Sequence, residues 1–225
     1  MPLESSLHIP AGQLKLAGDL VVPGGARGLV IFAHGSGSSR ISARNRFVAR
    51  SLWDRGLGTL LFDLLTADEE RQDALGAHLR FDIPRLATRL GEVTDWVRQE
   101  RSLRGLKLGY FGASTGAAAA LIAAADRADA IHAIVSRGGR PDLAGEALLR
   151  LDVPTQFIVG GDDGAVLELN QAAYEELHGA KQLTIVPGAT HLFEEPGALD
   201  EVSRIAGDWF AEYLSGAQGD WAEQA

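Results

Sequence analysis

A serine lies between two glycines in the stretch FGASTG, residues 111–116 of a chain of 225 residues. The apolar run LKLGY precedes this stretch, and the alanine-rich run AAAALIAAA follows it. A strand, a Gly-x-Ser-x-Gly turn and a helix in this order are typical of a nucleophile elbow, in which a tight turn exposes the serine hydroxyl. The pattern makes Ser114 a candidate nucleophile, although in a chain with 27 glycines a glycine-rich turn is by itself weak support.

A nucleophilic serine needs an adjacent base, and histidine is the usual one. In folds built around a nucleophile elbow, the triad follows the chain order serine, acid, histidine. Of the six histidines, only His178 and His191 come well after Ser114 and after a plausible acid. His178 ends a predicted helix, whereas His191 follows the last predicted strand. We therefore predict that His191 is the base.

The acid of the triad is expected directly after another strand. The stretch IVGGDD offers Asp162 and Asp163, and successive residues in a tight loop point in different directions. We prefer Asp163 and expect Asp162 to be a solvated loop charge or a turn former. Asp142, which follows the preceding strand, is a third candidate.

Negative charge that develops on a substrate oxygen requires backbone amides aimed at it. The amide of Thr115, directly after the nucleophile, is one expected donor. The second is expected from the loop HGSGSSR after the first buried strand, where Ser36 and Gly37 are the candidates. His34 begins this loop. We expect it mainly to tie the loop down, and it is also a candidate substrate contact.

The elements that would position these residues alternate between strand and helix from residue 28 onwards. Continuous apolar runs such as GLVIFAH and LKLGYFG are typical of strands that are covered on both faces. The alternation predicts an α/β fold with a mostly parallel central sheet and helices on both faces, preceded by an antiparallel hairpin within residues 7–22. The candidate triad and oxyanion residues then follow the carboxyl ends of strands, where ligands bind in open sheets of this kind.

A single domain is expected over residues 1–215, with a flexible tail at 216–225. The segment RGGRPDLAGEALLRLDV, which follows one of the predicted strands, has room for one short helix and not for a lid domain. The acidic run ADEER is expected to be a solvated edge. An open site of this kind suits short acyl esters or a bulky substrate that is presented from outside.

The composition narrows the classes of function. A net charge of −9 disfavours nucleic acid and anionic membrane surfaces as partners. The chain has no cysteine, which excludes a disulfide framework and a thiolate nucleophile, and no run approaches the roughly 20 apolar residues of a membrane-spanning helix. We expect a cytoplasmic protein with no cofactor and no metal. The sequence does not predict an oligomeric state.

Several stretches resemble those of α/β-hydrolases, in particular the small dienelactone-hydrolase-like group. They are FAHGSGSSR, LLFDLLT, GYFGASTGAAAAL, IVGGDD and VPGATHLFEEPGAL. The resemblance spans most of residues 28–200 and implies Ser114, Asp163 and His191 as the triad. Dienelactone hydrolases proper use a cysteine nucleophile, so this chain is expected to be a serine variant. The resemblance extends to hydrolase domains joined to phosphoribosyltransferase domains, and no such second domain is expected within these 225 residues.

Together these patterns predict a serine hydrolase that cleaves carboxylic esters of small or externally presented substrates through an acyl-enzyme. The same triad would also serve a thioesterase, an amidase or an acyltransferase. A non-catalytic accessory domain with an unproductive triad is a hypothesis of another class. Arg137 follows a strand end and is a candidate contact for a substrate carboxylate. Weaker candidates for the same role are Arg40, Arg44, Arg46 and Arg140.

Overall fold

The computed structural model describes residues 3–76 and 78–215, so the tail predicted at 216–225 lies outside the described residues. The strands are β1 (Leu3–Ala11), β2 (Leu14–Val22), β3 (Gly28–Ala33), β4 (Leu57–Phe62), β5 (Lys107–Ala113), β6 (Ile131–Arg137), β7 (Thr155–Gly160) and β8 (Lys181–Val186). They form one sheet in the order β1-β2-β4-β3-β5-β6-β7-β8. β2 pairs antiparallel with β1 and β4, and the other neighbouring strands are parallel.

Helices cover both faces of this sheet. They are α1 (Ala43–Trp53), α2 (Ala67–Gly76), α3 (Ile83–Gln99), α4 (Thr115–Ala125), α5 (Gly164–Glu176) and α6 (Ala198–Leu214). α1 and α6 bury their apolar residues on one face, whereas α3, α4 and α5 do so on the other. The predicted α/β fold with a mostly parallel sheet is confirmed. In the described ranges, no helix combines the length and apolar character needed to cross a bilayer.

The order of the strands brings the candidate site residues to one edge of the sheet. β3 lies between β4 and β5, so the connection from β3 to β4 runs in one direction across the sheet and the connection from β4 to β5 runs back past β3. Ala33 pairs with Gly112, and Ala113 pairs with Arg137, which places the carboxyl ends of β3, β5 and β6 side by side. A reversal of this kind opens a crevice beyond the strand ends.

The alanine-rich run forms α4 and allows this helix to pack closely against the sheet. The side chains of Ala117, Ala118, Ala119 and Ala120 are fully buried. Because these side chains are small, the helix lies very close to the strand that precedes it. A Cβ added at Gly112 would be only 2.4 Å from the Cα of Ala117. The first glycine of the FGASTG stretch is therefore required by contact between strand and helix.

The acidic run ADEER is the first part of α2, and four of its five residues are exposed, as expected of a solvated edge. The Thr66 amide donates to Oε2 of Glu69 at 2.9 Å, and the Glu69 amide donates to Oγ1 of Thr66 at 3.3 Å. This reciprocal pair is a capping box, which satisfies amides that the first turn of a helix leaves unpaired. Glu69 also pairs with the buried Arg89 of α3, so its charge anchors α2 to the domain.

We predict that Gly116→Ala lowers the free energy of unfolding by about 2 kcal/mol or more, as overpacking at rigid sites does. The new Cβ would lie 2.2 Å from the backbone oxygen of Ala33, which cannot move without displacing β3. Urea unfolding measures the change. The matched control is Gly164→Ala, where an added Cβ meets no atom within 4 Å. Equal stabilities of the two variants would contradict the packing argument.

Candidate active site

Ser114 sits in a turn of unusual backbone conformation. Its φ is 51° and its ψ is −121°, and among the described residues Phe193 is the one other non-glycine with a positive φ. Such a conformation costs a non-glycine residue on the order of 1–3 kcal/mol and persists only where the surroundings impose it. The turn joins β5 directly to α4 and leaves Ser114 half-buried at the crevice. This is the backbone geometry of a nucleophile elbow.

The acid candidates are separated by their contacts. Oδ2 of Asp163 lies 2.7 Å from Nδ1 of His191. Asp163 occupies the N-cap position of α5, yet its side chain makes no capping hydrogen bond and turns to the imidazole instead. Asp162 is exposed, and Asp142 binds Arg140 through two hydrogen bonds of 2.8 and 2.7 Å. Of the three candidates, only Asp163 contacts His191.

The contact with Asp163 determines the tautomer of the His191 imidazole. A carboxylate accepts a hydrogen bond from Nδ1–H, which leaves Nε2 of His191 with a lone pair that can accept a proton. Ser114 and His191 line one cavity of about 230 Å³. No hydrogen bond joins the two side chains in the part of the chain that the structure describes. Catalytic hydrogen bonds are often long in unliganded enzymes and shorten when substrate binds.

The loop that carries His191 is held by contacts with Arg137 and Gly138 and by its own buried Phe193. Gly138, with a φ of 50°, lies against the imidazole, and an added Cβ would be 3.4 Å from Nδ1 of His191. Arg137 donates from Nη1 to the backbone oxygen of His191 at 3.4 Å. Phe193 is buried with a φ of 55° and has the Arg137 guanidinium 5.6 Å from its ring centre. The roles of Gly138 and Phe193 could not be predicted from the sequence, because both depend on contacts between distant loops.

Two of the three predicted oxyanion donors, Thr115 and Ser36, lie together at the start of α4. Thr115 is the first residue of α4, so its amide has no partner within the helix and lies at the positive end of the helix dipole. The Ser36 amide donates to Oγ1 of Thr115 at 2.9 Å. A substrate oxygen would therefore share the Ser36 amide with that hydroxyl or displace it. Gly37 lies at the exposed tip of the same turn, with a φ of 71°.

His34 braces two loops. It is buried, its Nδ1 donates to the backbone oxygen of Gly35 at 3.0 Å, and its Nε2 accepts from the amide of Leu64 at 3.0 Å. Burial lowers the pKa of His34, which favours the neutral imidazole. Both ring nitrogens are thus used within the protein. This geometry supports the expected role in tying the loop down and disfavours the substrate contact.

Arg137 differs from the other arginines that the sequence suggested. Its side chain lines the cavity with Ser114 and is only 5% exposed. Among the described residues, no carboxylate lies within ion-pair distance of it. Burial is the main cause and repulsion from Arg44 the smaller cause that together lower the pKa of Arg137 to about 10. The weaker candidates are all paired, in the ion pairs Arg40–Asp63, Arg44–Glu194, Arg46–Asp19 and Arg140–Asp142.

Two cavities meet at the loop after β3. The histidine-side cavity, of about 230 Å³, is lined by Ser114, His191, Arg137, Asn45 and Leu192 among others. The leucine-side cavity, of about 320 Å³, is lined by Leu64, Leu65 and Leu86, by polar residues that include Ser36 and Thr115, and by the charged residues Glu70, Asp73 and Arg80. Within residues 3–76 and 78–215, no group of three or more His, Asp or Glu side chains is arranged to hold a metal ion.

Asn45 is a cavity residue that was not predicted from the sequence. It lies near the start of α1, which Ser42 caps by accepting a hydrogen bond from the Asn45 amide at 3.4 Å. Its side chain is 2% exposed, and its Oδ1 has no hydrogen-bond partner. A polar residue in the first turn of a helix gives no sequence signal for burial, so only the packing of α1 shows that Asn45 faces the site.

Comparison with known proteins finds solved structures that match over nearly the full length of both chains. A dienelactone hydrolase from Anabaena variabilis, known from its crystal structure, is 54% identical, covers 95% of this chain and 99% of its own, and has a TM-score of 0.93. Est1E from Butyrivibrio proteoclasticus, at 18% identity and a TM-score of 0.77 with 92% and 98% of the two chains covered, shows the same fold. No protein-family model matches the chain.

Curated relatives come from two strains of Mycobacterium tuberculosis. Both are named "Putative phosphoribosyl transferase", and both are 55% identical over 213 residues. The match covers 95% of this chain and 47% of each relative. The chain therefore spans about half the length of the curated relatives that it matches.

We predict that Asp163→Asn lowers kcat for ester turnover about 10³- to 10⁴-fold, because a carboxamide does not hold the imidazole in the Nδ1–H tautomer. Steady-state kinetics with p-nitrophenyl acetate measure the loss. The matched control is Asp162→Asn, one residue away and exposed, which should stay within about twofold of the wild type. Comparable losses in the two variants would contradict the assignment of Asp163.

Proposed function

Because the chain belongs to the dienelactone hydrolase family of α/β-hydrolases, we propose that it is a serine hydrolase that cleaves carboxylic esters through an acyl-enzyme. The observation that carries the proposal is the 2.7 Å contact between Asp163 and His191, in a cavity that also contains Ser114 in the elbow conformation. The 54% identity to a dienelactone hydrolase over nearly all of both chains supports hydrolysis as the reaction class. With no cysteine in the chain, serine is the residue available at the elbow.

The first half of the proposed reaction acylates Ser114. Nε2 of His191 accepts the proton of the Ser114 hydroxyl while Oγ attacks the carbonyl carbon of the ester. Asp163 stabilises the imidazolium that forms. The Thr115 amide at the start of α4, together with the Ser36 amide, stabilises the negative charge on the former carbonyl oxygen.

Collapse of this intermediate breaks the bond between the acyl carbon and the leaving oxygen. His191 donates its proton to that oxygen, so the alcohol leaves neutral and the acyl group stays on Ser114. Water then attacks the acyl carbon and gives a proton to His191. Cleavage of the bond to Oγ returns that proton to Ser114 and releases the carboxylic acid. Every proton in this cycle is carried by groups of the chain or by the reactants.

Substrate size follows from the form of the crevice. Between β6 and β7 the chain makes only a 3₁₀ segment, Pro141–Arg150, so this connection carries no lid over Ser114. The two cavities, of about 230 and 320 Å³, suit the small halves of a short ester. We propose a small-molecule ester as the substrate. Parallel assays with matched thioesters and amides would show whether either is turned over faster than the ester.

The name of the mycobacterial relatives does not lead to a different proposal. It belongs to proteins of which this chain matches 47%, so the transferase activity in that name need not reside in the matched part. The matched part contains a site whose acid, imidazole and hydroxyl fit acyl transfer to water.

We predict that Ser114→Ala lowers the turnover of p-nitrophenyl acetate at least about 10³-fold, because the remaining groups cannot form an acyl-enzyme. Release of p-nitrophenolate followed by absorbance measures the rate. Ser102→Ala, at an exposed turn before β5, is the control for any serine substitution and should retain full activity. Turnover that survives in the Ser114→Ala protein would refute the proposed function.

A further inference from the structure

Resting on the proposed acyl-enzyme, we propose that Asn45 binds the water molecule that hydrolyses this intermediate. The carboxamide holds the water in the histidine-side cavity, between itself and Nε2 of His191. Asn45 is then a catalytic residue of the second half of the reaction. It also determines the acceptor of the acyl group, because it favours water over an alcohol.

Asn45 is a buried polar side chain whose hydrogen bonds are not made within the protein. It is 2% exposed, its Oδ1 has no partner, and among the described residues none is hydrogen-bonded to its Nδ2. An unpaired carboxamide in a buried place is costly, and folded proteins satisfy such groups with ordered water. We therefore expect a bound water molecule next to Asn45.

The cavity beside Asn45 has the size and polarity that bound water requires. Its volume of about 230 Å³ far exceeds the roughly 10–15 Å³ that one water needs. His191 and the hydroxyl residues Ser38 and Ser42 also line it, so a water finds several polar partners there. Ser114 lines the same cavity, so a water held by Asn45 shares this space with the serine that carries the acyl group.

Two contacts hold Asn45 near the loop that carries His191. The Asn45 amide donates to Oγ of Ser42 at 3.4 Å, which caps the start of α1. Arg44, the preceding residue, pairs at 2.9 Å with Glu194, which follows His191 by three residues. The carboxamide is therefore carried by a capped helix end that is joined to the loop of the catalytic base, and a regular element positions a side chain more precisely than a loop does.

Hydrolysis of the acyl-enzyme makes specific demands on the attacking water. One O–H must point at Nε2 of His191, which takes the proton while the water oxygen bonds to the acyl carbon. The proton then passes to Oγ of Ser114 as the bond between Oγ and the acyl carbon breaks. The other O–H of the water needs an acceptor as well, and without one the water is poorly oriented for attack.

A carboxamide meets the remaining demand. Rotation about its last side-chain bond exchanges Oδ1 and Nδ2, so Asn45 can accept from the second O–H or donate to the water oxygen. It carries no charge and does not titrate, so it orients the water without competing with His191 for the proton. An alcohol has an alkyl group in place of this second O–H and cannot donate to Oδ1. The contact therefore favours hydrolysis over transfer to an alcohol.

The first test measures the decay of the acyl-enzyme in water. Protein is acylated with p-nitrophenyl butanoate in a quenched-flow apparatus, and intact-mass spectrometry follows the loss of the butanoyl group. We expect Asn45→Leu to slow this decay about 3- to 10-fold, the range of a hydrogen bond between neutral groups. Leucine is close to asparagine in size, and its side chain leaves no polar atom unpaired, so we expect this variant to fold.

The second test lets two acceptors compete for one acyl-enzyme. With 1-propanol present, the butanoyl group leaves as butanoic acid or as propyl butanoate, and gas chromatography measures both. The rate of acylation and the amount of folded protein cancel from the ratio of the products, so a merely structural role of Asn45 would not change it. We expect Asn45→Leu to raise the ester-to-acid ratio about 3- to 10-fold.

Matched variants separate the polar group from its shape. Asn45→Thr and Asn45→Val place side chains of the same shape in the cavity, and only the first can bond to water through a hydroxyl. The Asn45→Thr protein should lie closer to the wild type in both tests, and this pair tests the proposal if Asn45→Leu does not fold. Ser203→Ala is the control. Ser203 is buried with an unpartnered Oγ, but it lines a separate groove between α1 and α6, so both measurements should stay at their wild-type values.

The outcomes separate this inference from the proposed function. Unchanged decay in the Asn45→Leu and Asn45→Val proteins, or slower decay with an unchanged product ratio, would overturn the inference and leave the proposed function standing. Equal effects of Asn45→Thr and Asn45→Val would also overturn it. A wild-type protein that forms no acyl-enzyme and turns over no ester would overturn the proposed function and this inference with it.

Discussion

Steric exclusion around the turn between β5 and α4 holds Ser114 at a φ of 51° and a ψ of −121°. Gly112 lies against the backbone of α4, and Gly116 lies against the backbone that leaves β3, at separations that no Cβ could enter. The strain of the turn is offset by burial of the alanine-rich face of α4 against the sheet. Because the turn is fixed in this way, the Thr115 amide and the loop after β3 are fixed beside it.

The charged residues of the crevice lie on both sides of this turn. On one side Asp163 orients His191 through Nδ1, which leaves Nε2 as the nitrogen that accepts a proton in the proposed reaction. Beyond it Arg137 holds the backbone of the same histidine and presents a positive charge that the described residues do not neutralise. On the other side the cavity combines three leucines with serines, Thr115 and the charged residues Glu70, Asp73 and Arg80. The two halves of an ester therefore meet different chemical surroundings on either side of one serine.

Much of this arrangement could be predicted from the sequence, because the signals are local. The apolar runs identify the strands, the Gly-x-Ser-x-Gly stretch identifies the turn, and chain order singles out His191. The sequence offered no strong reason to choose Asp163 over Asp162, because which side chain faces His191 depends on the backbone conformation at the start of α5. The run ADEER was correctly expected to be solvated, but the capping box in the spacing of Thr66 and Glu69, which marks the start of α2, was missed.

Other features required tertiary structure. The Ser36 amide is engaged by the Thr115 hydroxyl, which a sequence pattern cannot reveal because it depends on a side-chain rotamer. Arg137 was the first of several arginine candidates because it follows a strand, but its burial and the absence of an acid partner among the described residues required tertiary structure. Asn45 carried no signal at all, since its burial follows from the packing of α1 over the crevice.

The central claim is that His191 activates Ser114, and covalent labelling tests it most directly. Intact-mass and peptide mass spectrometry after exposure to diisopropyl fluorophosphate should find one adduct per chain, on Ser114. The His191→Ala protein should remain unlabelled under the same conditions. No adduct, an adduct on another residue, or equal labelling of the His191→Ala protein would contradict the account.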